Sequence, residues 1–381
     1  MRRQLDYVCL QPTREGQASF AHVNEIVAGL GRRGWDVHLV EPTHPRPGRG
    51  DGVRRAIASM TAQLWYWKRR RFRPARFVYV RSHFLALPTA AIARAAGSIV
   101  VQECNGSIED IYDSWPQLRP LHAFISFSMR IQFRWASAII TVTPGLSEYL
   151  ADFTGRRVGY HVVGNGADVE RFRPTAPQLT SRRPPYAVFV GALASWQGID
   201  VLLNAAASAW WPPGIELLIA GDGIERERIQ VAARSNQRVH WLGTIPYDQS
   251  SELVAGSVAA LVPKGNAPAS RYGLSPLKLF EAMACGVPVV TSDLPGLGDV
   301  VRRYDCGVTC RAGDADALAR AVTALVEDPV RASEMGARGR AAAVTHYSWD
   351  ARAGQTEQVL LWAARKRSTD GTSHKRRHRI R

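Results

Sequence analysis

No stretch of this 381-residue chain reaches the roughly 18 consecutive apolar residues that a membrane-spanning helix needs. Cysteine is scarce and unpaired: Cys9, Cys104, Cys285, Cys306 and Cys310 are odd in number and form no CxxC pair. A disulfide framework is thereby disfavoured and reduced thiols are expected; Cys306 and Cys310 lack the second ligand pair that a zinc site requires, so no metal is expected. The opening MRRQLDYVCLQP has a basic start but too short and too polar an apolar stretch for a secretory signal, and reads as a buried strand with a helix to follow from about 19 to 33. A cytoplasmic protein is the expectation. Acidic residues are also in deficit, 33 against 49 Lys and Arg, for a net charge of +16. No pair of carboxylates stands at a spacing that suggests acid and base partners in glycoside hydrolysis. No helix-turn-helix or RNA-binding signature accompanies the basic charge, so specific nucleic-acid recognition is not expected.

What is present is an alternation of short apolar runs with helical patterns. Strands are predicted at 7–10, 37–40, 77–80, 99–103 and 138–142, and again at 187–190, 216–220, 239–242, 259–262 and 287–291. Each run is followed by loop or helix residues, a pattern that implies parallel sheets covered on both faces. A polar, proline-containing bridge, RFRP at 171–174 running to PP at 184–185, separates the two sets. The expected domains are therefore 1–175 and 185–345, with a helix at about 347–365 packing back on the first and a basic, disordered tail at 366–381. Two doubly wound sheets bind ligands beyond the carboxyl ends of their strands, which predicts an active site in a cleft between them.

The most informative segment is RYGLSPLKLFEAMACGVPVVTSDLPGLG, 271–298. Lys278 and Glu281 lie three apart and share a helix face. Ser275 as cap and Pro276 at the first helical position predict a helix start whose free N–H groups face an anion, with Lys278 as the neighbouring cation. Glu281, one turn deeper, suits the hydroxyls of a ribose, and Gly286 ends the helix before the strand. These residues describe half of a nucleotide-diphosphate site.

The same segment resembles the nucleotide-sugar signature of the retaining glycosyltransferases of family four, which have the GT-B fold of two facing Rossmann-like domains. The likeness continues through GNGADVERFRP at 164–174, FVGALASWQGIDVLLNAA at 189–206, LLIAGDGIERERI at 217–229 and VHWLGTIP at 239–246. What the resemblance implies is an α/β GT-B enzyme taking a nucleoside-diphosphate sugar as co-substrate, without metal or other cofactor. Its donor-binding candidates here are Gly16, Gly191, Ser195, Gln197, Gly221, Arg271, Ser275, Lys278 and Glu281; its catalytic candidates are Glu103, Asn105 and Lys278. Gly16 lies in the loop after the first strand, where backbone approaches a pyrophosphate or simply makes a tight turn. Glu103 and Asn105, at the end of a strand, fall where family members keep a polar residue near the anomeric carbon, although Glu103 also suits a structural acceptor. His22 on the first helix carries the same ambiguity.

Two positions depart from the family pattern. Members commonly carry a lysine directly before the glycine of the 191–198 loop, with an arginine nearby; Gln197 stands in the lysine's place and no arginine is close. A diphosphate leaving group gains charge and needs compensation, for which Lys278 is the expected substitute, with Arg271 and Lys264 as further candidates. The glutamate eight residues before Glu281 is replaced by Gly273.

The positive charge gathers at LWYWKRRRFR, 64–73, and in the tail. Rings beside a basic run suit an anionic membrane surface, and a peripheral contact is expected there; the segment 121–135 is similarly apolar and basic, or else a core helix. The sequence thus points to transfer of a sugar to a saccharide or lipid-linked acceptor in polysaccharide or glycolipid assembly. The rival readings are a nucleic-acid-binding basic protein and a GT-B enzyme of other chemistry, such as a sugar-nucleotide epimerase or a phosphorylase.

Overall fold

A computed structural model describes residues 3–11, 13, 17–43, 51–174, 184–265 and 271–377. The chain forms two compact units, Met1–Gly164 with Arg352–Arg381, and Asn165–Ala351. The division falls at 164/165 and not in the proline-containing bridge, because Phe172 is buried in the second unit and Arg340 donates to the carbonyls of Val169 and Phe172.

Six parallel strands build the first unit: β1 Arg3–Cys9, β2 Trp35–Val40, β3 Phe77–Arg81, β4 Ile99–Cys104, β5 Ala138–Thr141 and β6 Tyr160–Val162, in the order β2-β1-β3-β4-β5-β6. Strands β1, β3, β4 and β5 are buried on both faces, as their continuous runs of apolar residues imply. The edge strand β6, YHV, is too short and too polar to read from sequence.

The second unit repeats the plan with β7 Tyr186–Val190, β8 Glu216–Ala220, β9 Val239–Gly243, β10 Ala259–Val262, β11 Val289–Ser292 and β12 Gly307–Cys310, in the order β12-β11-β10-β7-β8-β9. Alternate residues feed two cores. Phe189, Leu217 and Leu261 pack with the helices Ile199–Ala207 and Ala315–Glu327, while Val188, Leu218 and Val262 pack with the helix Leu277–Ala284. Here too an edge strand, β12, went unpredicted; its glycine and cysteine carry little β propensity.

Strand order fixes where a ligand belongs. In the first sheet the chain runs outward from β1 to β2 and returns to β3 on the other side; in the second it runs from β7 through β9 and returns to β10. The crevices at β1/β3 and β7/β10, beyond the strands' carboxyl ends, are the switch points at which such sheets bind ligands.

The opposite edge of the first sheet is closed by the helix Trp349–Arg377. Glu357 accepts from Arg3 (3.1 Å) and from the Trp35 indole (3.0 Å), Trp362 meets His161 edge-on (4.6 Å between centroids), and Arg367 donates to Ser98 O (2.8 Å). Arg3, Trp35 and Ser98 lie at the amino ends of β1, β2 and β4, and His161 is the central residue of β6. The helix continues to Arg377, through most of the segment expected to be a disordered tail, on a run of good helix formers from Val359 to Arg367.

Candidate active site

At the β7/β10 switch point, lysines from two different elements converge on one amide oxygen. Lys264 follows β10, and its backbone is clamped by Ser292 at the end of β11: Lys264 N donates to Ser292 Oγ (2.9 Å), which donates to Lys264 O (3.1 Å). Its Nζ donates to Gln197 Oε1 at 2.7 Å. Lys278, in the first turn of Leu277–Ala284, donates to the same oxygen at 3.1 Å and lies 3.8 Å from the centroid of the Phe189 ring. Gln197 ends a 3-10 turn, Ser195–Gln197, after β7. Ser195, in that turn, is exposed.

Two cations sharing one neutral acceptor are short of negative charge. Burial lowers the Lys264 ammonium to a pKa of about 8. Burial, reinforced by the like charge of Lys264 and offset in part by Glu281, pushes Lys278 well below the ordinary lysine range. An anion placed at the pair would relieve both penalties.

Glycines make room for this arrangement. Gly191, with φ of 151°, leaves space that a Cβ would take at 2.7 Å from Lys278 Nζ. Gly221 follows β8 with φ of 139°, and a Cβ there would collide with Gly191 O. Any side chain at these positions would fill the space between the strand ends and Lys278.

Glu281 lies on the same helix as Lys278. It accepts from Tyr247 Oη at 3.0 Å, so one of its oxygens is already engaged. Burial raises its pKa to about 7, against the opposing pulls of the Tyr247 hydrogen bond and Lys278. Burial and the carboxylate together raise Tyr247 in turn.

The start of this helix differs from the expected one. The helix begins at Leu277 with Pro276 as its cap residue and no side-chain cap hydrogen bond. Ser275 lies outside it and binds Asn165 instead, Oγ accepting from Asn165 N (2.9 Å) and the carbonyl from Asn165 Nδ2 (2.5 Å). Arg271 is exposed and lies over its neighbour Tyr272, 4.6 Å from the ring centroid, an interaction open to any adjacent Arg–Tyr pair. Gly16 lies outside the described residues.

The first unit has a polar cluster at its own switch point, centred on Glu103. This residue is 1% exposed and is no open-facing catalytic carboxylate: it receives Tyr7 Oη (3.1 Å), Tyr79 Oη (2.7 Å), Arg81, Asn105 Nδ2 and His22 Nε2 (2.9 Å). Burial opposes its ionisation, but His22, Arg81 and the hydrogen bonds from His22 and Asn105 prevail and hold it well below the usual carboxylate range. Register explains the gathering, since Tyr7 pairs with Tyr79 and Arg81 with Glu103 across adjacent strands. Glu103 and Asn105 are thus brought together as an anchor, with Arg81 Nε reaching on to Gln11 (2.9 Å) in the loop after β1. Sequence reasoning missed Tyr7, Tyr79, Arg81 and Tyr247 as site residues, because each comes from a different element and none belongs to a motif.

The family profiles described as Glycosyltransferase Family 4 and Glycosyl transferases group 1 match residues 20–171 and 171–342, one after the other. The chain belongs to the group 1 glycosyltransferases with the GT-B fold. It is 27% identical over 296 residues to a glycogen synthase of Mycobacterium tuberculosis, covering 76% of this chain and 69% of the relative. Among solved structures, sucrose-phosphate synthase of Thermosynechococcus elongatus superposes with a TM-score of 0.76 at 20% identity, over 95% of this chain and 100% of that one. Anabaena Alr3699/HepE, solved in complex with UDP-glucose, does so with a TM-score of 0.68 at 18% identity, over 96% and 99%. In this glycosyltransferase Gln197, at the position where the resemblance leads one to expect a lysine, accepts from both Lys264 and Lys278.

Proposed function

We propose that this glycosyltransferase moves a sugar from a nucleoside-diphosphate donor to a saccharide or lipid-linked acceptor, with retention of configuration and without a metal ion. The assembly it serves is that of a polysaccharide or glycolipid, on the cytoplasmic side of the membrane. The observation that carries this reading is the Lys264–Gln197–Lys278 cluster at the switch point of the second sheet. Paired cations at that place suit a diphosphate, whose charge rises as the bond from the anomeric carbon to the phosphate oxygen breaks. The UDP-glucose complex of the HepE structure supports a nucleotide-sugar donor.

Retention follows from attack on the face that the leaving group vacates. The acceptor oxygen bonds to the anomeric carbon while a donor phosphate oxygen takes its proton, so no carboxylate nucleophile is needed, in keeping with the enclosure of Glu103. Glu281, with an oxygen beyond the one that Tyr247 holds, accepts from the donor's ribose. Glu281→Ala is accordingly expected to weaken nucleoside-diphosphate binding by about 1.5–3 kcal/mol with the melting transition retained; unchanged affinity refutes that role.

The test is an assay of nucleoside-diphosphate release with a panel of nucleotide sugars and acceptors. Release that depends on acceptor, survives a chelator and yields a product with the donor's anomeric configuration supports the proposal. Release without acceptor, loss on chelation or an inverted product each overturns part of it.

A further inference from the structure

The outer helix layer of the first unit carries an apolar surface edged with positive charge. Right-handed crossovers put the connections from β2 onward on one face of the sheet, so the helices Asp51–Arg70, Leu87–Ala95 and His122–Trp135 share a layer. Contacts bear this out: Trp67 Nε1 donates to Thr89 Oγ1 (3.2 Å), Gln63 Nε2 to Leu85 O (3.0 Å) and Gln132 Nε2 to His83 O (3.1 Å). Arg55 also lies 4.8 Å from the ring centroid of Trp115, just before the last of these helices.

The solvent side of Asp51–Arg70 is the reverse of what burial normally selects. Val53 (68%), Ile57 (58%), Leu64 (67%) and Trp65 (54%) are exposed along one side at helical spacing. Phe124 and Phe127 are exposed in the same way on His122–Trp135. Basic residues border the stripe: Lys68, Arg69 and Arg71 are exposed, and Arg69 lies 5.1 Å from the Trp65 ring centroid. Arg71 and Phe72 both have positive φ (49° and 57°), a turn that leaves the Phe72 ring 64% exposed. A non-glycine pair held there is costly, and it sets the Phe72 ring stacked on Trp67, 6.1 Å between centroids, with its outer face in solvent.

The basic run expected to meet a membrane is divided by the fold. Tyr66 and Trp67 are buried, and Arg70 is spent on Asp6, which also accepts from Tyr66 Oη (2.7 Å). Leu64, Trp65, Lys68, Arg69, Arg71, Phe72 and Arg73 of that run are exposed, joined by apolar residues up to three turns earlier.

We infer that this helix layer docks on an anionic lipid bilayer, with Ile57, Leu64, Trp65, Phe124 and Phe127 entering the interface and Lys68, Arg69 and Arg71 meeting lipid phosphates. Charge complementarity selects this occupant: exposed rings flanked by cations that have no carboxylate partner among the described residues suit anionic headgroups over acyl chains, whereas a second copy would bring its own cations against these. The inference is independent of the donor chemistry, and its readout is binding.

Flotation of the full chain with neutral phosphatidylcholine vesicles and with vesicles containing phosphatidylglycerol tests it. Expected is binding to the anionic vesicles that falls with salt, and falls about fivefold for each of Lys68→Gln, Arg69→Gln and Arg71→Gln. Leu64→Ser with Trp65→Ser is expected to abolish it with the melting temperature unchanged. Absence of vesicle binding, equal binding to both vesicle types, or indifference to these substitutions overturns the inference. So does a concentration-dependent dimer that the same substitutions dissociate without any vesicle binding.

Discussion

At the scale of single residues, the departure at Gln197 decides most. A lysine there would supply the cation directly; the amide supplies an acceptor that gathers two cations from other elements. Lys278→Ala is expected to lower turnover about 100-fold, and to lower donor affinity less, because the diphosphate's charge grows toward the transition state. Gln197→Lys in the same chain should restore part of the rate; steady-state kinetics of the single and double variants check both, and a fully active Lys278→Ala refutes the role. The pKa of about 8 at Lys264 gives a pH signature. Free protein above that pH holds Lys264 neutral, and a bound diphosphate draws the proton back, so donor binding is expected to take up protons on the alkaline side of 8 and to weaken as pH rises through it. Calorimetry in buffers of different ionisation enthalpy measures that uptake.

At the scale of elements, burial sorts residues that look equivalent in sequence. In the run from Trp65 to Arg71, three rings are followed by four cations with nothing local to rank them; the helix period assigns Tyr66, Trp67 and Arg70 to the sheet and leaves Trp65, Lys68 and Arg69 outside. Arg70→Ala is thus expected to destabilise the fold by about 2–3 kcal/mol, since it strands the buried Asp6 carboxylate, while Arg69→Ala stays within about 0.5 kcal/mol in denaturant titration. Equal effects would show that the Asp6 contact contributes nothing. The same contrast explains what was legible beforehand. Ten strands could be read because β-branched, buried runs such as YAVFV and AALV announce themselves, whereas the edge strands β6 and β12 are short, half-exposed and in part polar. The helix Leu277–Ala284 was legible from Lys278 and Glu281 on one face and from Gly286 just past its end. Its true start was not, because the Asn165 partner that draws Ser275 away is 110 residues distant. Glu103 was read either as a polar residue near the reacting centre or as a structural acceptor; its enclosing partners could not be read, since they depend on the register of β1, β3 and β4.

At the scale of the whole molecule, two sheets with one winding plan each present a switch point, and among the described residues it is the second that gathers two lysines on one neutral amide. In the first unit Arg81 is paired with Glu103, which also lies 2.9 Å from His22 Nε2; in the second Lys264 and Lys278 share a neutral amide. The helix Trp349–Arg377 packs on the first sheet through Glu357 at Trp35 and Trp362 at His161. The central claim is that the lysine pair binds the diphosphate of a nucleotide sugar. Calorimetric titration of UDP, GDP and ADP, each beside its nucleoside, into the wild type and a Lys264→Met/Lys278→Met variant tests it most directly, with methionine keeping the apolar stems. The expected result is that one diphosphate binds the wild type far more tightly than its nucleoside, and that the variant melts as a folded protein yet binds that diphosphate at least 100-fold more weakly. A folded variant that binds the diphosphate as tightly as the wild type would contradict the claim.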